Sequence, residues 1–181
     1  MRGPELRELT GLFPGGADDF AAEVIAAGEV PEPYHTLLVH HHHMTVTVEK
    51  FYRGPVDVRP LEVRHDGDLY CRKILLVLRE TGAVVQFGIV RIRLDCCSEP
   101  VREAILSRKT PLGRILIQHK VLRHIRPTAY LRVEPGAPMR EWFGLGGPRT
   151  TYGRLGVIFY DHRPAIEVLE ILAPVPGDTA G

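Results

Sequence analysis

An excess of charge of one sign is absent from this chain. Its 181 residues include 23 Lys and Arg against 22 Asp and Glu, so the formal net charge is only +1. Proteins that bind DNA, RNA or anionic membrane surfaces usually present a strongly basic face. Nearly equal numbers of basic and acidic residues do not produce the strong positive potential of such a face. The composition therefore argues against a nucleic-acid partner.

Long hydrophobic runs are also missing. The apolar stretches, of which residues 74–78 are typical, are much shorter than the roughly 18–20 residues that a membrane-spanning helix needs. The first eight residues mix basic and acidic side chains, whereas a secretory signal would have a basic region followed by an apolar one. We expect neither a signal peptide nor a membrane partner.

Cysteine is scarce. The three cysteines are Cys71, Cys96 and Cys97, an odd number, and the adjacent pair is poorly placed to form a mutual disulfide. The number and spacing of these cysteines are not those of the disulfide framework of a small secreted domain. They fit a protein of a reducing compartment. We therefore expect a cytoplasmic protein.

The remaining composition is that of an ordinary globular protein. Hydrophobic residues make up 44% of the chain and charged residues 25%, which is typical of a folded domain. A chain of this length is long enough to bury a sizeable core and short enough for one domain. We predict a single domain over 1–181, with the Gly- and Pro-rich segment 1–16 flexible.

Strand patterns dominate the chain. Residues 69–78 and 84–94 are rich in apolar and β-branched side chains and are separated by a turn at 79–82, which predicts a β-hairpin. Val46 and Val48 alternate with polar residues before a Gly-Pro turn and a second apolar alternation at 56–58, which predicts another hairpin. Further strands are predicted at 121–133, 154–160 and 165–172.

Helical patterns are fewer. The Ala-rich segment 17–27 has apolar residues at helical spacing, and Ser98 is positioned to cap a helix over 99–107. A further helical turn is predicted to begin at Pro111. The Gly-rich segment 134–150 reads as a mobile inserted loop. These patterns predict an α+β protein with a single, mostly antiparallel sheet of about six strands and helices that cover it.

Two ionisable residues lie inside apolar strand sequence, Arg72 and Glu170. A buried charge is costly unless it is paired or meets a ligand of opposite charge, so both are candidates for a site that binds a small carboxylate. The simpler alternative stays open for both. Arg72 would then lie on the exposed side of an edge strand, and Glu170 would face solvent between Leu169 and Ile171.

Four consecutive histidines, His40 to His43, raise the question of a metal site. Successive side chains of an extended segment point to opposite sides, so at most two of the four converge, and no cysteine or carboxylate completes a familiar ligand set. We predict a polar loop and no metal site.

Five short segments together carry a resemblance to a known family. The chain resembles the chorismate lyases (4-hydroxybenzoate-forming chorismate pyruvate-lyases), particularly their divergent bacterial branch. The segments are, in chain order, Met44-Thr45, the strand around Arg72, the turn 109–114, Gly153-Arg154 and the strand 170–174. No single segment is specific to this family, but the five segments in this order are.

The resemblance implies a six-stranded antiparallel sheet whose flaps bury the ligand, and cofactor-free elimination of pyruvate from chorismate to give 4-hydroxybenzoate. It implies that Arg72 binds the ring carboxylate and that Glu170 faces the ring oxygen, both as catalytic residues. It also implies a set of substrate-binding residues: Met44, Thr45, Leu112, Gly113 and Arg154. No metal or cofactor is implied.

The chain departs from the family pattern on the second strand of the central hairpin. The better-known lyases carry an arginine directly after the glycine that corresponds to Gly88, whereas this chain has Ile89. Arg91 lies on the same strand face as Ile89, because side chains repeat every two residues, and it is the predicted replacement as a substrate-binding residue.

Two alternatives to a chorismate lyase follow. The ligand-sensing (UTRA) domains of some transcription factors share the topology, so a non-catalytic protein that binds a small aromatic carboxylate would have the same pocket. Residues 1–34 do not provide two consecutive helices with a basic recognition face, which argues against a DNA-binding regulator. The other alternative is a lyase-like enzyme that acts on a related substrate. For each of these functions we expect a monomer or a homodimer.

Overall fold

The computed structural model describes residues 4–16 and 18–175. The strands of this part of the chain are β1 Phe20–Ile25, β2 Val56–Asp66, β3 Leu69–Leu78, β4 Val84–Arg93, β5 Arg123–Pro135, β6 Thr151–Tyr160 and β7 Arg163–Leu172. The helices are α1 Leu6–Thr10, α2 Tyr34–Leu38, α3 Met44–Tyr52, α4 Glu99–Leu106, α5 Leu112–Gln118 and α6 Ala137–Phe143, with short 3-10 turns at Ala27–Glu29 and Leu94–Cys96.

All seven strands belong to one antiparallel sheet, in the order β1-β5-β6-β7-β4-β3-β2. Two three-stranded meanders, β2-β3-β4 and β5-β6-β7, are joined where β4 pairs with β7, and β1 adds to the outer edge of β5. The predicted fold class, α+β with one mostly antiparallel sheet, is confirmed, with seven strands in place of about six.

Apolar side chains on both faces of the sheet are covered by helices. On one face, Leu9 of α1 and Met139 of α6 pack with Phe87, Ile89 and neighbouring strand residues. The other face carries two separate apolar clusters, one built with α4 and α5 and the other with α2 and α3. The gap between these two clusters, above the centre of the sheet, is where the cavity described below lies.

Two predicted elements have the opposite secondary structure. Residues 17–27 were predicted to be helical, but Phe20–Ile25 forms β1, because its backbone pairs with β5 from Phe20↔Pro135 to Ile25↔Tyr130; Ala17 lies outside the described residues. The edge pairing outweighs the helical propensity of the alanines, since propensity is a weak local preference.

Residues 44–48 were predicted to be a strand and instead begin helix α3. The buried residues of α3 are Met44, Thr45 and Val48, a helical spacing, whereas Val46 is 45% exposed. The alternation of valine and threonine therefore does not reflect the burial pattern, and β2 pairs with β3 rather than with this segment.

The two segments predicted to be mobile contain ordered structure. In the described part of 1–16, α1 forms and the side chains of Leu9 and Phe13 are buried in the core; Met1 to Gly3 lie outside the described residues. Within 134–150, Ala137–Phe143 forms α6, because Met139 is fully buried under the sheet and Trp142 stacks on Phe87. No helix of the described residues is long and apolar enough to cross a membrane.

Candidate functional site

A cavity of about 50 Å³ lies between the sheet and two flaps, which are the segment 40–45 leading into α3 and the segment 109–114 leading into α5. Strands β3, β4 and β7 form its floor. Six residues that the sequence assigned to the site line it, namely Met44, Thr45, Arg72, Leu112, Gly113 and Glu170. The chain thus brings together residues that are up to 126 positions apart.

The floor of the cavity consists of three cross-strand rows. On β4, Val90 pairs with Arg72 of β3 and Val168 of β7, Gly88 pairs with Ile74 and Glu170, and Gln86 pairs with Leu76. Gly88 lies in the middle row and has no side chain, which leaves a hollow at the centre of the floor. The polar groups of the floor therefore surround an apolar depression.

The Arg72 side chain is fully buried, with 1% of its surface exposed. Its Nε and Nη1 atoms have no hydrogen-bond partner, and among the described residues no carboxylate pairs with it. Burial lowers the pKa of the Arg72 guanidinium from its usual value, and the nearby Tyr70 side chain opposes that shift. An arginine remains charged under these conditions, so the cavity contains a cation with free donors.

Glu170 also lines the cavity, but its charge is already matched. Arg154, its partner in the neighbouring strand, donates a hydrogen bond from Nε to Glu170 Oε2 at 2.7 Å. Arg154 is only 1% exposed, and the Glu170 side chain is 14% exposed. The ion pair is therefore largely shielded from solvent, and its two charges compensate each other.

Arg154 also holds the first flap in place. Its Nη1 donates to the main-chain oxygens of Leu38 and His40 at 3.1 and 3.0 Å, and its Nη2 donates to the main-chain oxygen of His42 at 3.1 Å. Arg154 does not line the cavity. The structure therefore places Arg154 against Glu170 and the main chain at Leu38, His40 and His42 rather than in the cavity lining.

The two flaps approach each other at Gly113. A β-carbon at this position would lie 3.0 Å from both His43 Cβ and Thr45 Oγ1, closer than ordinary contacts. Arg114 and Glu49 form an ion pair between α5 and α3. The flaps are therefore tightly closed, and glycine is needed where they meet.

His43 is a wall residue that the sequence did not assign to the site. It is 7% exposed, and the Arg123 Nε–H donates to its Nε2 at 2.6 Å. Burial and then the charge of Arg123 lower the pKa of His43 to about 4, so the imidazole is neutral at pH 7. Burial and the charge of Arg154 likewise lower the pKa of His40 to about 4.

The structure does not bring Arg91 to the cavity. Val90 is the residue that faces Arg72 across the hairpin, so Arg91 and Ile89 both point to the opposite face of the sheet. There Arg91 pairs with Glu167 and with Glu8. The assignment of Arg91 as a replacement for the missing family arginine is therefore not supported.

Gln86 is the other wall residue that the sequence analysis missed. It is 3% exposed, lines the cavity, and its Oε1 has no hydrogen-bond partner. The sequence does contain an indication of this position, because Gln86 is a polar residue between Val85 and Phe87 in an apolar strand. Arg72 is likewise a polar residue in an apolar strand.

Two of the four consecutive histidines lie together, because the rings of His40 and His42 are 5.5 Å apart and the main-chain N–H of His42 donates to His40 Nδ1. His40 Nε2 donates to Leu37 O, and His41 donates from Nδ1 to Ile125 O and stacks on His124. Within residues 4–16 and 18–175, no three His, Cys, Asp or Glu side chains are placed to hold one metal ion.

Comparison with known proteins gives no family. No protein-family model matches the chain, and no curated protein matches it. The solved structures to which the chain is similar include three bacterial proteins. The possible transcriptional regulator YydK from Bacillus subtilis is 9% identical, with 65% of this chain and 57% of that chain covered and a TM-score of 0.44. This chain thus spans less than two thirds of YydK.

The other two are a GntR-family transcriptional regulator from Bacillus cereus and the C-terminal domain of Yurk from Bacillus subtilis. Both are 11% identical, with TM-scores of 0.45; the first match covers 66% of this chain and 92% of that chain, and the second covers 67% and 90%. These likenesses are distant, and the fold assignment rests on the strand register of this chain itself.

Proposed function

We propose that the cavity under the flaps binds a small organic anion with a single carboxylate, of the aromatic type, and that Arg72 holds the carboxylate. The observation that carries this proposal is the unpaired, fully buried guanidinium. Removing an ion from water costs several kcal/mol unless an opposite charge compensates for it. A planar carboxylate matches the fork of an arginine with two parallel hydrogen bonds.

The charges around the cavity favour a monoanion. Arg72 contributes one positive charge, the charges of Arg154 and Glu170 cancel, and His43 is neutral. The apolar floor of Ile74, Val90 and Val168 suits a ring or another flat hydrocarbon group. A ligand with one carboxylate and an apolar body fits both features.

The volume requires that the flaps separate when a ligand binds. A cavity of about 50 Å³ exceeds the roughly 10–15 Å³ that a single water needs, but it is far below the 300–1,000 Å³ that is typical of sites for larger organic ligands. The closed flaps would then bury the ligand almost completely and exclude water. Exclusion of water strengthens the pairing of Arg72 with the carboxylate.

The test is calorimetric titration of the protein with benzoate, as the simplest aromatic monocarboxylate, together with Arg72→Met and Arg91→Gln. We expect Arg72→Met to weaken binding about 100-fold, because two charge-assisted hydrogen bonds are lost. Arg91→Gln is the matched control, since it removes an arginine from the opposite face of the same hairpin and should leave the affinity unchanged.

The stability of the ligand-free protein gives a second measurement. Arg72→Met removes an unpaired buried charge, so we expect the melting temperature of the free protein to stay the same or rise, while the shift caused by benzoate disappears. Equal binding of benzoate by wild type and Arg72→Met would refute the proposal.

A second candidate function is chorismate lyase activity, favoured by the fact that Arg72 and Glu170 line the same cavity. Chorismate has two carboxylates, however, and the cavity has only one uncompensated positive charge. Incubation with chorismate, followed by measurement of pyruvate, tests this candidate directly. Turnover that falls in both Arg72→Met and Glu170→Gln would favour it, and benzoate binding without pyruvate release would favour the binding protein.

A further inference from the structure

Gln86 carries the second unpaired polar group of the cavity wall. Its side chain is 3% exposed and lies on β4 in the row of Leu76 and Leu172. Its Oε1 has no hydrogen-bond partner, although a buried amide oxygen without one costs about 1–3 kcal/mol. Such an atom calls for an explanation, and its position in the wall of the cavity supplies one.

Gln86 and Arg72 stand at opposite ends of the cavity floor. Arg72 pairs with Val90, and Gln86 lies four residues before Val90 on the same face of β4. At about 3.4 Å per residue, the two rows are roughly 14 Å apart along the strands, and both side chains are long. The middle row, which contains Ile74, Gly88 and Glu170, separates them.

We propose that Gln86 accepts a hydrogen bond from a hydroxyl group at the end of the ligand opposite its carboxylate. The ligand class is then a hydroxylated aromatic carboxylate, and Gln86 is a specificity-determining residue. The inference rests on the proposed function, because it takes the carboxylate of the ligand to lie on Arg72.

Glu170 lies in the middle row beside Gly88, so it is closer to Arg72 than Gln86 is, and Arg154 already donates to its Oε2. A second carboxylate at the distal end of the ligand is disfavoured, because no Lys or Arg lines the cavity at the Gln86 end to compensate for its charge. A neutral donor satisfies Gln86, whereas an apolar group leaves its oxygen unpaired.

The experiment compares 4-hydroxybenzoate with 4-methylbenzoate, which has a similar size and no donor, by calorimetric titration. Wild type should bind the hydroxyl compound about ten-fold more tightly. Gln86→Met should lose or reverse this preference, and it should fold, because it replaces an unpaired acceptor with an apolar group of similar length. Gln118→Met is the matched control, since it makes the same change at an exposed residue outside the cavity, and it should keep the preference.

The outcomes separate the two proposals. If wild type binds both compounds through Arg72 but prefers the methyl compound, or if Gln86→Met keeps the wild-type preference, the inference about Gln86 is wrong and the proposed function stands. If wild type binds neither compound, both are wrong. Loss of the preference in Gln86→Met alone, with Gln118→Met unchanged, is the expected result.

Discussion

Arg154 on β6 and Glu170 on β7 face each other in adjacent strands, and the Nε–H of Arg154 donates a hydrogen bond to Glu170 Oε2 at 2.7 Å. The remaining nitrogens of the same guanidinium bind main-chain oxygens of the first flap. One side chain therefore connects the wall of the cavity to the segment that covers it.

Replacing Arg154 with Met should destabilise the protein strongly. The change leaves Glu170 partly buried without its partner and frees three main-chain oxygens of the flap, so we expect the free energy of unfolding to fall by about 3–5 kcal/mol. Urea denaturation measures the loss. Hydrogen exchange at residues 40–45 should also become faster, because the flap is no longer tied to the sheet.

The double variant Arg154→Met/Glu170→Gln provides the control for this prediction. Because Glu170→Gln removes the stranded charge, the double variant should be less destabilised than the sum of the two single variants. Additive losses would mean that the ion pair does not couple the two residues.

Gly113→Val should push the flaps apart. Its side chain would start 3.0 Å from His43 Cβ and Thr45 Oγ1, and overpacking of this kind typically costs about 1–3 kcal/mol. We expect lower stability and faster hydrogen exchange in both flaps. Gly146→Ala is the matched control, because a β-carbon there meets nothing within 4 Å; an equal effect of both substitutions would contradict the close contact at Gly113.

His43 should make the protein less stable as the pH falls from about 6.5 to about 4. Burial, then the charges of Arg123, Arg154 and His42, lower its pKa to about 4 in the folded state, against 6.5 when unfolded. The unfolded chain then binds more protons in this window, so the stabilisation present above pH 6.5 is lost on acidification. The loss from His43 is at most on the order of 3 kcal/mol.

Urea denaturation between pH 4.5 and 7.5 checks this prediction in wild type and His43→Gln. Glutamine keeps an acceptor for Arg123 without titrating, so the difference in stability between the two proteins should change with pH. A constant difference for His43→Gln would show that this imidazole does not titrate as described.

Local signals predicted the central hairpin and helix α4 closely. The strand over 69–78 has the predicted bounds, and α4 ends one residue before the predicted end. Both depend on residues close in sequence, such as the turn with Gly82 and the proline in the first turn of α4. The strand Phe20–Ile25 could not be predicted in this way, because its partner β5 is about 110 residues away.

The placement of the predicted site residues depends on the same distinction. Arg72 and Glu170 are charges within apolar strands, and the structure brings both to one cavity. Whether Arg91 shared that face depended on the pairing of Val90 with Arg72, since a shift of one residue moves a side chain to the other face. Such a register is set by contacts between strands, which a linear pattern does not contain.

Lys73 provides the last prediction, on the face of the sheet opposite the cavity. Its Nζ lies 2.7 Å from Asp19 Oδ2 and 3.1 Å from Glu62 Oε1, and it approaches the ring of Trp142 to 5.1 Å. The side chains of Lys73 and Asp19 are 4% and 5% exposed. Lys73→Met should therefore lower the free energy of unfolding by about 3 kcal/mol or more, because Asp19 is left buried without a cation.

The double variant Lys73→Met/Asp19→Asn should regain part of that stability in urea denaturation, since the uncompensated carboxylate is gone. Burial already raises the pKa of Asp19, against the effect of Lys73, so without Lys73 this carboxyl should titrate at still higher pH. Arg79→Met is the contrasting control: its partner is Asp57, and both side chains are more than half exposed. Exposed pairs contribute little, so a loss for Arg79→Met equal to that for Lys73→Met would show that burial does not set the strength of these ion pairs.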